Sequence, residues 1–173
     1  MKTFTYAALI GAASLLTCSS SYATISGAGT LKITAPGLSG GDADGPYNVV
    51  STATTGPSLG SFQTFCLGSK VDFVSGQSYD YSISLQVQPF ASEGLHPNPT
   101  TALSYVALGT AWLYNQFLTG SIGTLGVNNS QNDAIQLAIW YLQGQSGGAD
   151  NSYVAKAITA LGAGNIENNA NGT

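Results

Sequence analysis

Two side chains in this sequence could form a pair with a definite chemistry, Cys66 and Gln136. A thiolate can attack a carboxamide carbon and expel ammonia, which leaves an internal thioester joining the two side chains. That bond is an activated acyl group. An incoming amine or hydroxyl takes the acyl carbon of Gln136 and Cys66 departs as a thiol, so the chemistry is performed once, without the turnover of an enzyme. The fold must bring the two residues together, and an apolar surround must keep water from hydrolysing the bond. Phe62, Phe65, Trp112, Ile139, Trp140 and Tyr141 are candidates for that shield. Plainer readings stand beside this one. A buried free cysteine is commonly inert packing, and a buried glutamine commonly hydrogen-bonds backbone. The residues alone leave these alternatives open.

Other combinations offer less. A cysteine hydrolase would pair Cys66 with His96, the single histidine, but Leu95-His96-Pro97-Asn98-Pro99 reads as a solvated loop without an orienting third group. One histidine and one cysteine outside the leader do not furnish a zinc ligand set, so no metal site is expected there. Asp42-Ala43-Asp44-Gly45 resembles the start of a calcium loop but lacks the later ligands and the closing glutamate, and reads as a turn. Tyr105, Trp112, Tyr114 and Phe117 could form a carbohydrate platform, though at helical spacing such a stripe is more often core. No phosphate loop or dinucleotide fingerprint is present, and no cofactor is implied.

The element that must position Gln136 is the stretch Ser130 to Leu142. Ser130 with Asp133 three residues on resembles a capping box. From Ala134 to Leu142 every residue except Gln136 is apolar or aromatic, the pattern of a buried helix. Gly144 to Gly148 ends it. Cys66 falls at the end of a strand, Ser61 to Leu67. Further strands are expected over residues 24–35, Tyr47 to Thr55 and Val71 to Val74. The clearest period-two alternation in the chain runs through Tyr79, Tyr81, Ile83, Leu85 and Val87. After a proline-containing loop over 89–100, Thr101 to Leu118 has helical spacing, with Gly109 as a potential break and Gly120 as a stop. Ser152 is placed to cap a last helix, Tyr153 to Leu161, and residues 163–173 read as a disordered polar tail. Strands first and helices later indicate α+β: an antiparallel β-sandwich or barrel with an inserted helical subdomain and a C-terminal helix, over residues 24–162.

Composition sets the context. Residues 1–23 read as a signal peptide, with Lys2, an apolar run from Tyr6 to Leu16 and Ser21-Tyr22-Ala23 as cleavage site. The chain is then secreted or displayed at the cell surface, with no anchor evident and no transmembrane segment. Leu15-Leu16-Thr17-Cys18 is a poor lipoprotein match, so Cys66 is the cysteine that remains. The net charge of −4 becomes −5 when Lys2 is removed, and there is no arginine, which argues against nucleic acid and anionic membranes.

Thr64-Phe65-Cys66-Leu67 followed by Ile135-Gln136-Leu137-Ala138-Ile139-Trp140-Tyr141 resembles the paired motifs of bacterial Cys–Gln thioester domains, found in surface adhesins. There an aromatic-Cys-apolar motif and a Gln four residues before a Trp supply the bonded side chains. Ala111-Trp112-Leu113-Tyr114-Asn115-Gln116-Phe117 is similar to a stretch in exported thioester-domain-like proteins that often carry a PEP-type sorting signal. The resemblance spans about residues 60–145. It implies Cys66 as thiol partner and Gln136 as acyl donor, in a monomeric covalent adhesion module. The partner would be a nucleophile-bearing protein or surface glycan of a host or neighbouring cell. Where the family usually carries a polar residue two after the cysteine, this chain has Gly68. The alternative is a non-covalent structural or matrix-associated extracellular protein on the same fold, with Cys66 free.

Overall fold

A computed structural model of the chain describes residues 27–35, 45–69, 74–83, 105–127 and 129–170. Four strands, β1 (Ala28–Thr34), β2 (Tyr47–Thr55), β3 (Ser61–Thr64) and β4 (Ser78–Ser82), precede three helices, α1 (Leu108–Leu118), α2 (Ser130–Leu142) and α3 (Ser152–Leu161). The strands form one antiparallel sheet in the order β3-β2-β1-β4, so the protein is α+β, and among the described residues the sheet is open. The signal peptide, Cys18, Asp42, Asp44, His96, the strand expected over Val71 to Val74 (apart from Val74) and the continuation of β4 to Val87 lie outside the described residues.

Period-two alternation builds the sheet. Leu31 and Ile33 of β1, Tyr47 and Val49 of β2 and Tyr81 of β4 are buried on one face, while Thr30, Lys32, Val50 and Thr52 face out. The helices enclose a second cluster that includes Leu113, Phe117, Ile135, Ile139, Leu142 and Val154. The segment just after β3 belongs to both. Phe65 and Leu67 point into the helical core, whereas Cys66, between them, packs on the sheet cluster.

Helix ends account for most departures from the sequence reading. The cap of α2 is Asn129, whose side chain accepts from the Gln131 and Asn132 N–H groups, and that of α3 is Asn151, which accepts from Tyr153 N–H. Both are one residue earlier than the serines expected in that role, because the asparagines have the extended backbone of a cap, from which the side-chain oxygen reaches those donors, whereas Ser130 and Ser152 are already helical. Helix α1 begins at Leu108, and Gly109 lies inside its first turn rather than dividing it. A Cβ there would meet Leu142 at 3.1 Å and the Ile166 carbonyl at 3.2 Å. Ala107 cannot cap α1, and the tail takes that role: Leu108 N–H donates to Asn168 O and Gly109 N–H to Ile166 O. Residues 163–170, expected to be disordered, are therefore folded against α1 with Ile166 buried. At the other end Gly120, at φ +71°, stops α1 as expected.

Candidate functional site

The expected strand over Ser61 to Leu67 pairs with β2 only as far as Thr64, which sits opposite Tyr47. Continuing that register would set Gly45 opposite Cys66, but the intervening Pro46 has no N–H to donate. The Gln136 side chain takes the place of a neighbouring strand. Cys66 N–H donates to Gln136 Oε1 at 2.8 Å, and Gln136 Nε2 donates to Cys66 O at 2.7 Å. A primary amide presents one acceptor and a donor side by side, as a peptide does, so it completes the ladder for one residue. Gln136 is 0 % exposed. Its desolvation is offset because both ends of the amide are satisfied. The structure thus brings together the two residues that the sequence singled out, 70 positions apart.

Gly45 forms a wall of this arrangement. A Cβ on it would stand 2.6 Å from Phe65 Cδ1 and 3.0 Å from Gln136 Oε1, so only a residue without a side chain lets residue 45 approach the amide this closely. Cys66 as a residue is half-buried, and its thiol donates to the Gly68 carbonyl at 3.0 Å. Burial pushes its pKa up from 9.0 to about 11, with a backbone hydrogen bond at Gly68 working in the other direction. At neutral pH the free sulfur is therefore protonated. Among the described residues no group of three or more His, Cys, Asp or Glu side chains could hold a metal ion.

The expected shield divides. Phe65 and Ile139 are fully buried, Phe65 standing edge-on to Phe117 with ring centroids 4.8 Å apart. Phe62 packs with Cys66 on the sheet cluster, and Trp140 is 6 % exposed. Tyr141 does not belong to the shield. It is 44 % exposed, because the residue following Trp140 on a helix is turned about 100° from the buried face. Trp112 is half-buried and lines a groove with Ala155, Lys156 and Thr159 of α3. In the proposed carbohydrate stripe, Tyr114 and Phe117 are core residues, and Tyr114 Oη donates to Gln63 O at 2.7 Å.

Several residues that hold the site were not evident from the sequence. Asn132 and Gln143 are buried amides like Gln136, and each brackets a loop. Asn132 accepts from Thr124 N–H and donates to the Thr124 and Val127 carbonyls. Gln143 accepts from Ala107 N–H at 2.7 Å and donates to Tyr105 O. Asn132, four residues before Gln136, shares its helix face, and that spacing is the one sequence signal that could have flagged it. Beyond Cys66, Ser69 N–H donates to Gln145 Oε1 at 3.3 Å, and Gly147 packs on both Ser69 and Trp140. The loop after α2 therefore closes over the loop after Cys66. Two buried polar atoms here, Ser69 Oγ and Trp140 Nε1, have no hydrogen-bond partner. Comparison of the chain with protein-family models, with curated proteins and with solved structures finds no match.

Proposed function

We propose that the chain is an exported thioester-domain protein, a covalent adhesion module in which Cys66 and Gln136 form an internal thioester that acylates an amine or hydroxyl on a partner protein or surface glycan. The observation that carries this reading is the pairing of the fully buried Gln136 amide with the Cys66 peptide at 2.7 and 2.8 Å. It holds the acyl carbon beside the residue that bears the thiol, against the wall at Gly45. The amide is thus oriented before any bond is made, which favours an intramolecular attack by the thiol once Sγ turns from the Gly68 carbonyl. In forming the bond, Cys66 Sγ would add to the Gln136 carbonyl carbon and Nε2 would leave as ammonia. On this reading further strands, beyond the four described, would complete a β-sandwich or barrel into which the helical section is inserted.

Methylamine provides the test. Incubation with the folded protein should add one methylamine, and peptide mapping should find it at Gln136 together with a newly alkylatable Cys66. Cys66→Ala should take up none. Uptake that persists in Cys66→Ala, or that maps to another amide, contradicts the proposal.

A second reading has an observation of its own. Gln136 is one of three buried amides, two on α2 and one at its C-cap, that bracket backbone segments, and its oxygen and nitrogen are both hydrogen-bonded without chemistry, while the Cys66 sulfur hydrogen-bonds at Gly68. On that reading the chain is a non-covalent structural extracellular protein with Cys66 free, and methylamine leaves its mass unchanged.

A further inference from the structure

We propose that Gln145 is a positioning residue for the Cys66 thiol: by fixing the Gly68–Ser69 peptide it keeps the thiol on the Gly68 carbonyl and restrains its attack on Gln136. This rests on the thioester reading and names a brake on that reaction. The Cys66 thiol donates to the Gly68 carbonyl at 3.0 Å, and Ser69 N–H donates to Gln145 Oε1 at 3.3 Å. That carbonyl and that N–H belong to one trans peptide unit. The unit is planar, with its C=O and N–H pointing opposite ways. An acceptor held on the N–H side therefore sets where the carbonyl points. Gly68 has no Cβ to resist rotation of the unit, so the restraint must come from such a partner.

Gln145 can supply it because its own backbone is tied to α2. Gly144, at φ +67°, turns the chain just past the helix. Gly144 N–H donates to Tyr141 O at 2.9 Å and Gln145 N–H to Trp140 O at 2.8 Å, the paired bonds of a Schellman cap. The Gln145 carbonyl in turn accepts from Gly148 N–H at 3.0 Å. Gln136, on the same helix, holds the N–H and carbonyl of Cys66. The helix and its cap thus grip residues 66–69 at both ends, and the thiol is engaged on the carbonyl between the two grips. Here Cys66 is a thiol and Gln136 a carboxamide, the groups present before the bond closes. Closure requires Sγ to leave Gly68 O and bond to the Gln136 acyl carbon. The carbon–nitrogen bond breaks, and the thiol proton departs with Nε2 as ammonia. Turning the Gly68–Ser69 peptide withdraws the acceptor from the thiol, and the bond from Ser69 N–H to Gln145 opposes that turn.

The experiment refolds the denatured full chain, with Cys66 reduced and Gln136 intact, and follows the loss of one ammonia by intact mass. Gln145→Met keeps the length of the side chain and removes the oxygen, whereas Gln145→Glu keeps an oxygen acceptor. Gln145→Met should close about fivefold faster than wild type, the worth of one ordinary hydrogen bond, and Gln145→Glu within about twofold of wild type. Val154→Ala, which loosens the helical core from α3, should also stay within about twofold and so separates the grip on the thiol from a general loss of stability. Closure that is unchanged or slower in Gln145→Met, or as fast in Gln145→Glu or Val154→Ala as in Gln145→Met, overturns the inference and leaves the thioester standing. Full mass retained by all four proteins overturns the thioester reading itself.

Discussion

A carboxamide held at both ends by one peptide has a single orientation, and this makes Gln136 structural before it is anything else. Gln136→Ala would leave the Cys66 N–H and carbonyl unpaired in a buried site and open a cavity where a fully buried side chain stood. Measured against the methylamine-opened wild type, in which the amide is present, we expect a loss of about 2–4 kcal/mol in denaturant unfolding. Against the same reference Cys66→Ala keeps the backbone bracket and removes only the sulfur, and should cost about 1 kcal/mol. Equal costs for the two would contradict the bracket. The thiol makes a separate prediction once methylamine has opened the bond. Burial raises its pKa above the unfolded value of 9.0 to about 11, so the folded state binds this proton more tightly. The corresponding stability is fully present below about pH 9 and is lost as pH rises through about 11. Native-state alkylation of the opened protein should therefore be slow at neutral pH and accelerate steeply towards pH 11. Alkylation at neutral pH as fast as in the urea-unfolded chain would contradict the burial assigned to the sulfur.

Among the elements, α2 is the spine of the site. Asn132 and Gln136 on it and Gln143 at its C-cap bracket the loop before α2, the Cys66 peptide and the entry to α1. Gly45 faces the middle bracket, and Gly45→Ala should cost about 1–3 kcal/mol because its Cβ would press on Phe65 and on the Gln136 oxygen. Thermal melting checks this, and an unchanged midpoint would mean that the wall is softer than it stands. The extent of α2 was legible in the sequence because its ends are punctuated locally, by polar residues before Ser130 and by Gly144 after Leu142. The extent of β2, Tyr47 to Thr55, was legible for a similar reason, with Pro46 before it and Gly56 after it. The end of β3 was not. Phe65 and Leu67 continue the alternation, but the partner of Cys66 is a side chain 70 residues away, and local patterning carries no trace of it. The tail was misread on the same ground. Its polarity suggested disorder, whereas the α1 N–H groups that hold its carbonyls are over 50 residues distant in sequence.

At the scale of the molecule, the open sheet and the helical cluster meet along residues 63–67. Phe65 and Leu67 enter the helical core, Cys66 lies on the sheet cluster, and Tyr114 of α1 donates to the Gln63 carbonyl on β3. Tyr114→Phe removes that hydrogen bond without changing the ring packing, and should lower unfolding stability by about 1 kcal/mol. A larger loss accompanied by two separate transitions would mean that this one bond couples the sheet to the helices. A site at such a seam is dry on the helical side, and Cys66 as a residue is half-buried, which suits an acyl group stored until a nucleophile arrives. The central claim is that Cys66 and Gln136 are joined by such a bond. The most direct measurement is the intact mass of the purified protein before any nucleophile is added. A mass short by one ammonia, restored to full value in Cys66→Ala, is the predicted result. A full mass in the wild type, with Cys66 open to alkylation after unfolding and no prior exposure to amine, would contradict it.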